Sequence, residues 1–367
     1  MNRIFKSCFV VLIAVVVTTG LLFSNGKADI ETAIYFFEVG EFNSAKEAFT
    51  EIIELYPENS RAAYFLGRIF YQECDMDLAT DWLKKAVDLE EGISEYHLWL
   101  GRAYARKGLK SSIFKKPFYA HKTKRNLEKA VEIDSANALA RHDLILYYMR
   151  VPGIFGGGKG KANAQAEALR RMNPWEGFKA FGQIHLLEEK YEAAEKVYLA
   201  AIDQYPNEVQ FYISLADVYV KTKAYEKALE ICQQAAQQIP SAKASALYQQ
   251  GVIYQEMDDY PVAHAIFKDV ISDNPDFLPA HAAIGQSALH LKIELEFARE
   301  CLKIYIECHP FNCNPELVWA YYRLGRIYEL QGEFVAASQM YGTALILDSG
   351  FELAEGAMKL LEKNNRN

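Results

Sequence analysis

One spacing returns along this 367-residue chain and restricts its fold more than any other feature. Leu66-Gly67 is followed by Phe70, Ala79, Leu83 and Ala86, which lie 3, 12, 16 and 19 residues after the glycine. The same offsets give Gly182, His185, Ala194, Tyr198 and Ala201, and then Ala216, Tyr219, Ala228, Cys232 and Ala235. They recur at Gly251, Tyr254, Ala263, Phe267 and Val270, and at Gly325, Tyr328, Ala337, Tyr341 and Ala344. Ala33, Phe36, Ala45, Phe49 and Ile52 form a first copy without glycine. Pro206, Pro240, Pro275 and Pro310 close successive copies at intervals of 34, 35 and 35 residues.

Apolar residues 3 and 4 apart form the buried stripe of a helix. A small residue at Gly67 or Gly251 lets two antiparallel helices approach closely, and the closing proline cannot continue a helix. One helical pair cannot bury its own apolar faces, so neighbouring pairs must stack. A composition of 51% hydrophobic and 24% charged residues, with 23 Tyr and 21 Phe, suits packed helices.

These copies resemble tetratricopeptide (TPR) repeats. The resemblance implies an all-α, right-handed superhelical solenoid of nine helix-turn-helix repeats over residues 29 to 349, with Gly350 to Lys363 as a capping helix and 364–367 as a disordered tail. The motif is specific in fold and unspecific in function. Two repeats depart from it. The third keeps Leu100-Gly101 and Tyr104 but resumes only at Leu127 and Ala130, which predicts an enlarged loop near 109–121. The fourth has Leu144 and Tyr148, then resumes at Ala162, Ala166 and Leu169.

The fourth repeat's interruption reads Arg150-Val-Pro-Gly-Ile-Phe-Gly-Gly-Gly-Lys-Gly-Lys-Ala162, and Gly153, four residues, Gly158-Lys159 imitate a phosphate-binding loop. Such a loop needs a preceding strand and a Ser or Thr for magnesium, whereas here Ala138 to Arg150 reads as a helix and Gly160 holds the hydroxyl position. The expectation is an enlarged turn over 152–160 whose glycines supply positive φ, with Lys161 opening the next helix. Residues 95 to 205 are also similar to a group of exported bacterial TPR proteins and, distantly, to the periplasmic T-component of TRAP transporters. That implies a periplasmic location and helper or ligand-associated roles, with no catalytic residues to carry over.

Residues 1–28 read as a signal peptide or short anchor. Arg3 and Lys6 precede the apolar run Cys8 to Phe23, and small residues stand at Gly26 and Ala28. Either outcome leaves the rest outside the cytoplasm, soluble or tethered to the membrane through this segment. A net charge of −8 argues against nucleic-acid binding. Yet Arg102 to Lys129 holds ten Lys or Arg against Glu128 alone, so this window is +9 and the remainder −17. Lys110, Lys115, Lys116, His121, Lys122, Lys124 and Arg125 form either a solvated insert or an anion site among Phe114, Phe118 and Tyr119.

Helical period places Tyr64, Arg68, Arg102, Arg106, His142, Arg150, Lys179 and Gln183 on the groove face of repeats two to five. This basic lining favours an acidic partner segment. Cys74, Cys232 and Cys301 occupy helical positions as core fillers, and a Cys308–Cys313 disulfide suits an oxidising compartment. Gly285-Gln-Ser287-Ala-Leu lacks the last glycine of a nucleophile elbow, and no H-E-x-x-H or calcium loop is present. The reading is a non-enzymatic extracytoplasmic scaffold, without cofactor or metal, that binds protein through its concave groove. The alternative is a ligand- or lipid-binding accessory of an envelope transport system.

Overall fold

The computed structural model describes residues 29–308 and 315–364, in which all regular elements are helical. The expected leader over 1–28, Pro310, Cys313 and residues 365–367 lie outside the described residues. Helices alternate as first and second members of nine pairs. The first four pairs are α1 (Ile30–Glu38) with α2 (Phe42–Leu55), α3 (Ser60–Gln72) with α4 (Met76–Leu89), α5 (Ser94–Lys110) with α6 (Lys116–Ile133), and α7 (Ala138–Arg150) with α8 (Lys159–Met172). Then come α9 (Pro174–Leu187) with α10 (Tyr191–Gln204), α11 (Val209–Lys221) with α12 (Tyr225–Gln238), and α13 (Lys243–Glu256) with α14 (Tyr260–Asp273). The last are α15 (Leu278–Leu291) with α16 (Leu295–Glu307) and α17 (Pro315–Leu330) with α18 (Phe334–Leu347), closed by α19 (Glu352–Asn364).

Two compact units divide the chain: residues up to Leu144 together with Val151–Gly156, and Ile145–Arg150 together with everything from Gly157 on. Within the first, α1 packs on α3 and α3 on α5, in addition to each helix packing on its sequence neighbour. Within the second, α11, α13, α15 and α17 are linked in the same way. First helices therefore share one face in each unit, and the side chains they leave half-buried there are the ones a ligand can reach.

The period-four stripe is buried as its spacing requires, with Ala79, Leu83 and Ala86 all wholly shielded. Pro206 and Pro240 stand just beyond α10 and α12, where a proline ends a helix at no cost in hydrogen bonds. Asn59, Asp75 and Asn137 open helices by accepting from the backbone N–H groups of Ala62, Leu78 and Ala140 at 2.9, 3.0 and 2.9 Å.

In four repeats the glycine faces a large residue sixteen positions later, and in the eighth Gly285 faces Leu302, seventeen later. A β-carbon on Gly182 would lie 2.3 Å from Tyr198, one on Gly251 2.4 Å from Phe267, and one on Gly325 2.5 Å from Tyr341. In the long third repeat the same meeting joins Gly101 to Leu127, at 3.0 Å. The additional residues of that repeat lengthen both helices, to 17 and 18 residues, and leave only Ser111–Lys115 as the connection. The region expected as a loop over 109–121 is thus mostly helix, because Tyr119 packs against Gly108 and extends the hairpin.

Seven residues after the small position the chain turns through left-handed backbone. Glycine serves at Gly40 (φ 86°) and Gly332 (φ 80°), but Cys74, Glu189, Lys223, Asp258 and Lys292 adopt φ between 55° and 64° at the same place. Cys74 is accordingly a half-buried turn residue and not a core filler. Cys232 and Cys301 are buried as expected, and burial pushes both thiols up to about 12. Cys308 carries a free, exposed thiol at the end of α16, so the expected pairing with Cys313 is not formed at that residue.

At the glycine-rich interruption a short 3-10 turn covers Gly153–Phe155, and positive φ falls at Gly156 (93°) and Gly158 (152°). The Gly158 N–H donates to the Tyr148 carbonyl at 2.8 Å, satisfying the end of α7. The next helix begins at Lys159, two residues before the expected Lys161.

Two opposed substitutions test the spacing. Gly182→Ala should lower unfolding free energy by about 1–3 kcal/mol through overpacking against Tyr198. Lys223→Gly or Asp258→Gly should raise it by up to about 1 kcal/mol by relieving left-handed backbone. Urea denaturation reads both, and a neutral Gly182→Ala would show that close approach does not set the pairing.

Candidate protein-binding face

In the first compact unit, three successive first helices build a ladder of guanidinium groups and aromatic rings. Arg68 of α3 stands 4.6 Å from the Phe37 ring of α1 and 4.4 Å from the Trp99 ring of α5. Arg102 lies over the same Trp99 at 4.9 Å, and Arg106 over Tyr71 at 4.5 Å. Trp99 meets Tyr71 edge-on at 5.4 Å, which locks the two rings that carry the cations.

The three arginines differ in their charge partners. Arg102 Nε donates to the Asp143 carboxylate at 2.5 Å and is neutralised. Arg68 donates from one terminal nitrogen to the Tyr64 hydroxyl at 3.2 Å, while its buried Nε finds no hydrogen-bond partner. Arg106 has its ring contact and no carboxylate within ion-pairing distance among the described residues. Burial pushes the Tyr71 phenol up, opposed by the neighbouring Arg106 and Arg102 charges.

Of the groove residues expected from period, the structure brings together Arg68, Arg102 and Arg106. Tyr64 and His142 are turned inward and buried, and Tyr64 donates to Glu95 at 3.3 Å. Arg150 is exposed in the second unit, where Lys179 stacks on Trp175 at 5.4 Å and Gln183 is half-buried. The basic lining expected through repeat five does not continue. Positions equivalent to Arg68 hold Gln183, Asp217, Val252 and Gln286 in repeats five to eight, where Asp217 accepts from Gln249 at 2.8 Å, and arginine returns only at Arg326 of the last repeat, paired with Glu329 at 3.2 Å. Sequence reasoning missed Phe37, Tyr71, Trp99 and Asp143. Trp99 stands two residues before the small position, as does Asp143 in the next repeat, and that offset is the signal that could have found them.

Among the insert residues, Lys110, Lys115, Lys116, His121 and Arg125 are exposed. Lys122 lies over the rings of Phe118 and Tyr104 at 4.7 and 4.8 Å, and Lys124 pairs with Glu128 at 3.7 Å.

The lysine of the phosphate-loop look-alike has a structural partner. Lys159 binds Glu188 at 2.9 Å, and Lys190 binds the same carboxylate at 2.8 Å. Only 7% of the Glu188 side chain is exposed, so the pair ties the start of α8 to the end of α9. A second apparent motif dissolves similarly. His264 Nδ1 lies 3.0 Å from Ser287 Oγ and its Nε2 lies 3.4 Å from Glu294, an arrangement that resembles a hydrolase triad. Ser287, however, is wholly buried and donates to the Ile284 carbonyl at 3.1 Å, so no substrate can reach its hydroxyl. Among the described residues no cluster of three His, Cys, Asp or Glu could hold a metal ion, and no helix is long and apolar enough to cross a membrane.

Comparison with known proteins agrees with this architecture. Tetratricopeptide-repeat profiles match residues 30–93, 179–243, 245–276 and 320–355, together more than half of the chain, which therefore belongs to the tetratricopeptide repeat family. A tetratricopeptide repeat protein from Parabacteroides merdae superposes over 70% of this chain and 96% of its own, with a TM-score of 0.50 at 14% identity. Yeast Tom70 covers 92% of this chain and 88% of its own (TM-score 0.46, 11% identity), and the APC/C assembly Cut9–Hcn1 covers 91% and 76% (TM-score 0.48, 13% identity). No curated protein sequence matches the chain.

The Glu188 cluster gives a signed pH prediction. Hydrogen bonds from Lys190 and Lys159 hold the carboxyl at about 2, below its ordinary 4.5. A depressed carboxyl stabilises the fold fully above the unfolded value, and that contribution is lost as pH falls from about 4.5 towards about 2. Lys159→Ala should reduce the loss, lower stability at neutral pH by no more than about 1 kcal/mol, and leave an ATP titration as flat as in wild type. Protection by ATP that disappears in Lys159→Ala would overturn this assignment.

Proposed function

We propose that the chain is an extracytoplasmic scaffold that holds a protein partner on the first-helix face of its N-terminal repeats. Tetratricopeptide repeats are a fold typical of protein–protein interaction scaffolds, and this chain shares that fold. The observation that carries the finer reading is the pair Arg68 and Arg106: two half-buried guanidiniums, stacked on rings and lacking a carboxylate. A stacked guanidinium is held in place before the ligand arrives, so little side-chain entropy is lost when an anion binds. The donors such a guanidinium leaves unbonded suit the planar carboxylates of an acidic partner segment. The basic and apolar N-terminal residues, and the resemblance of residues 95–205 to exported bacterial repeat proteins, support the location.

Calorimetric titration with a Glu/Asp-rich peptide tests the assignment. Wild-type protein should bind it in preference to a Gln/Asn-rich peptide of equal length, and more weakly as salt rises. Arg68→Gln with Arg106→Gln should reduce affinity roughly tenfold or more, as expected for lost charged hydrogen bonds. Equal affinity in the double variant would place recognition elsewhere.

A further inference from the structure

The most exposed apolar side chains of the first compact unit crowd one end of the long α5–α6 hairpin. Leu109, Ile113 and Phe114 are 78%, 74% and 92% exposed, and Phe118, in the first turn of α6, is 56% exposed. Farther along α6, the short turn at Gly153–Phe155 packs with Gly156 set against Lys124 and leaves Ile154 86% exposed. Isolated surface leucines are ordinary, but several large apolar groups left in water at one tip mark a contact surface. None of them contributes to the core, so folding gives no account of their presence.

The cations around them are equally unsatisfied. Lys110, Lys115, Lys116 and Arg125 are exposed, and among the described residues none has a carboxylate partner. Elsewhere in the same unit surface lysines are paired, Lys46 with Glu73 at 2.7 Å and Lys107 with Asp77. The tip thus presents an apolar point ringed by free positive charge. A protein groove would offer a recess for a ligand, whereas a phenylalanine with 92% of its surface in water projects outward. A bilayer supplies the complement in the right order: an anionic headgroup layer for the lysines above an apolar layer for the projecting rings and aliphatics. Lysine stems are long enough to leave their ammonium groups at headgroup level while the tip descends between them.

We propose that this hairpin tip seats on an anionic lipid bilayer, with Ile113 and Phe114 inserted to interfacial depth and Lys110, Lys115 and Lys116 on headgroup phosphates. The attachment is separate from the first-helix face and does not depend on that face binding a protein. It is also distinct from any anchoring by the N-terminal residues, which every variant below retains.

Flotation of the full chain with vesicles tests it. Binding should be stronger to phosphatidylcholine vesicles containing phosphatidylglycerol than to phosphatidylcholine alone. Ile113→Ser with Phe114→Ser should reduce the phosphatidylglycerol-dependent part roughly tenfold, and Lys110, Lys115 and Lys116 changed to Gln should abolish most of it, since each cation near an anionic surface contributes roughly fivefold. Both variants should keep the wild-type melting temperature, because the altered side chains are exposed. In Phe114→Trp, emission should shift to the blue with anionic vesicles and be quenched by a headgroup-proximal nitroxide lipid, which reports insertion at this residue alone. Three outcomes each overturn the proposal: flotation unchanged in the serine variant, tryptophan emission unmoved by anionic vesicles, or a patch that drives self-association of the chain in solution while leaving vesicles untouched.

Discussion

The distance between the two helices of a repeat governs the rest of this molecule. Where Gly182 stands against Tyr198 or Gly251 against Phe267, a single methyl group would have no room, so the backbones cross at the point where one side chain is missing. That contact fixes the rotation of both helices about their axes. Once they are fixed, the residues three and four positions away turn into the core together, and the remaining face of each first helix is determined. Arg68, Trp99 and Arg102 are neighbours because each sits within two positions of the crossing point in its own repeat.

The parts legible in the sequence are those that follow from this contact. The small residue and its large partner recur at an offset of sixteen in most repeats, and both helices take their register from it. Even the long third repeat could be recognised, since Leu127 and Ala130 resume the pattern after the insertion, although the spacing alone suggested a loop where the helices are in fact prolonged. The turns were less visible. Glycine announces left-handed backbone at Gly40 and Gly332, but Glu189, Lys223 and Asp258 accept the same geometry because packing on both sides imposes it, and nothing in their side chains signals the fact.

The binding face was half legible. Period places Tyr64 and Arg68 on one surface, about 40° apart around the helix, and they do touch, but the phenol turns inward while the longer arginine reaches the open face. The rings that orient Arg68 and Arg106 come from flanking repeats, beyond the reach of a pattern that describes one repeat at a time. Pairing was also invisible: Arg102 and Arg68 occupy the same position in consecutive repeats, yet only Arg102 meets a carboxylate, because Asp143 happens to stand in the repeat that follows it. The same blindness applies to His264, Ser287 and Glu294, whose convergence is spatial and whose chemistry is closed off by the burial of the serine.

The small–large crossing has a consequence for how such a chain can lengthen. Both members of each pair lie within a single repeat, so a tandem duplication of that segment carries a complete lock with it, whether the key is Leu83, Tyr198 or Phe267. Exchange of a half-repeat between neighbours would instead bring together a key and a lock cut for different volumes. The ladder of Phe37, Arg68 and Trp99 has the opposite inheritance, for its members belong to three repeats in a fixed order. Copying the middle repeat in place would leave each arginine with a ring on one side only, whereas a copy of either flanking repeat keeps the set intact. Structural growth in this architecture is therefore modular, while the recognition face is bound to one genealogy of neighbours.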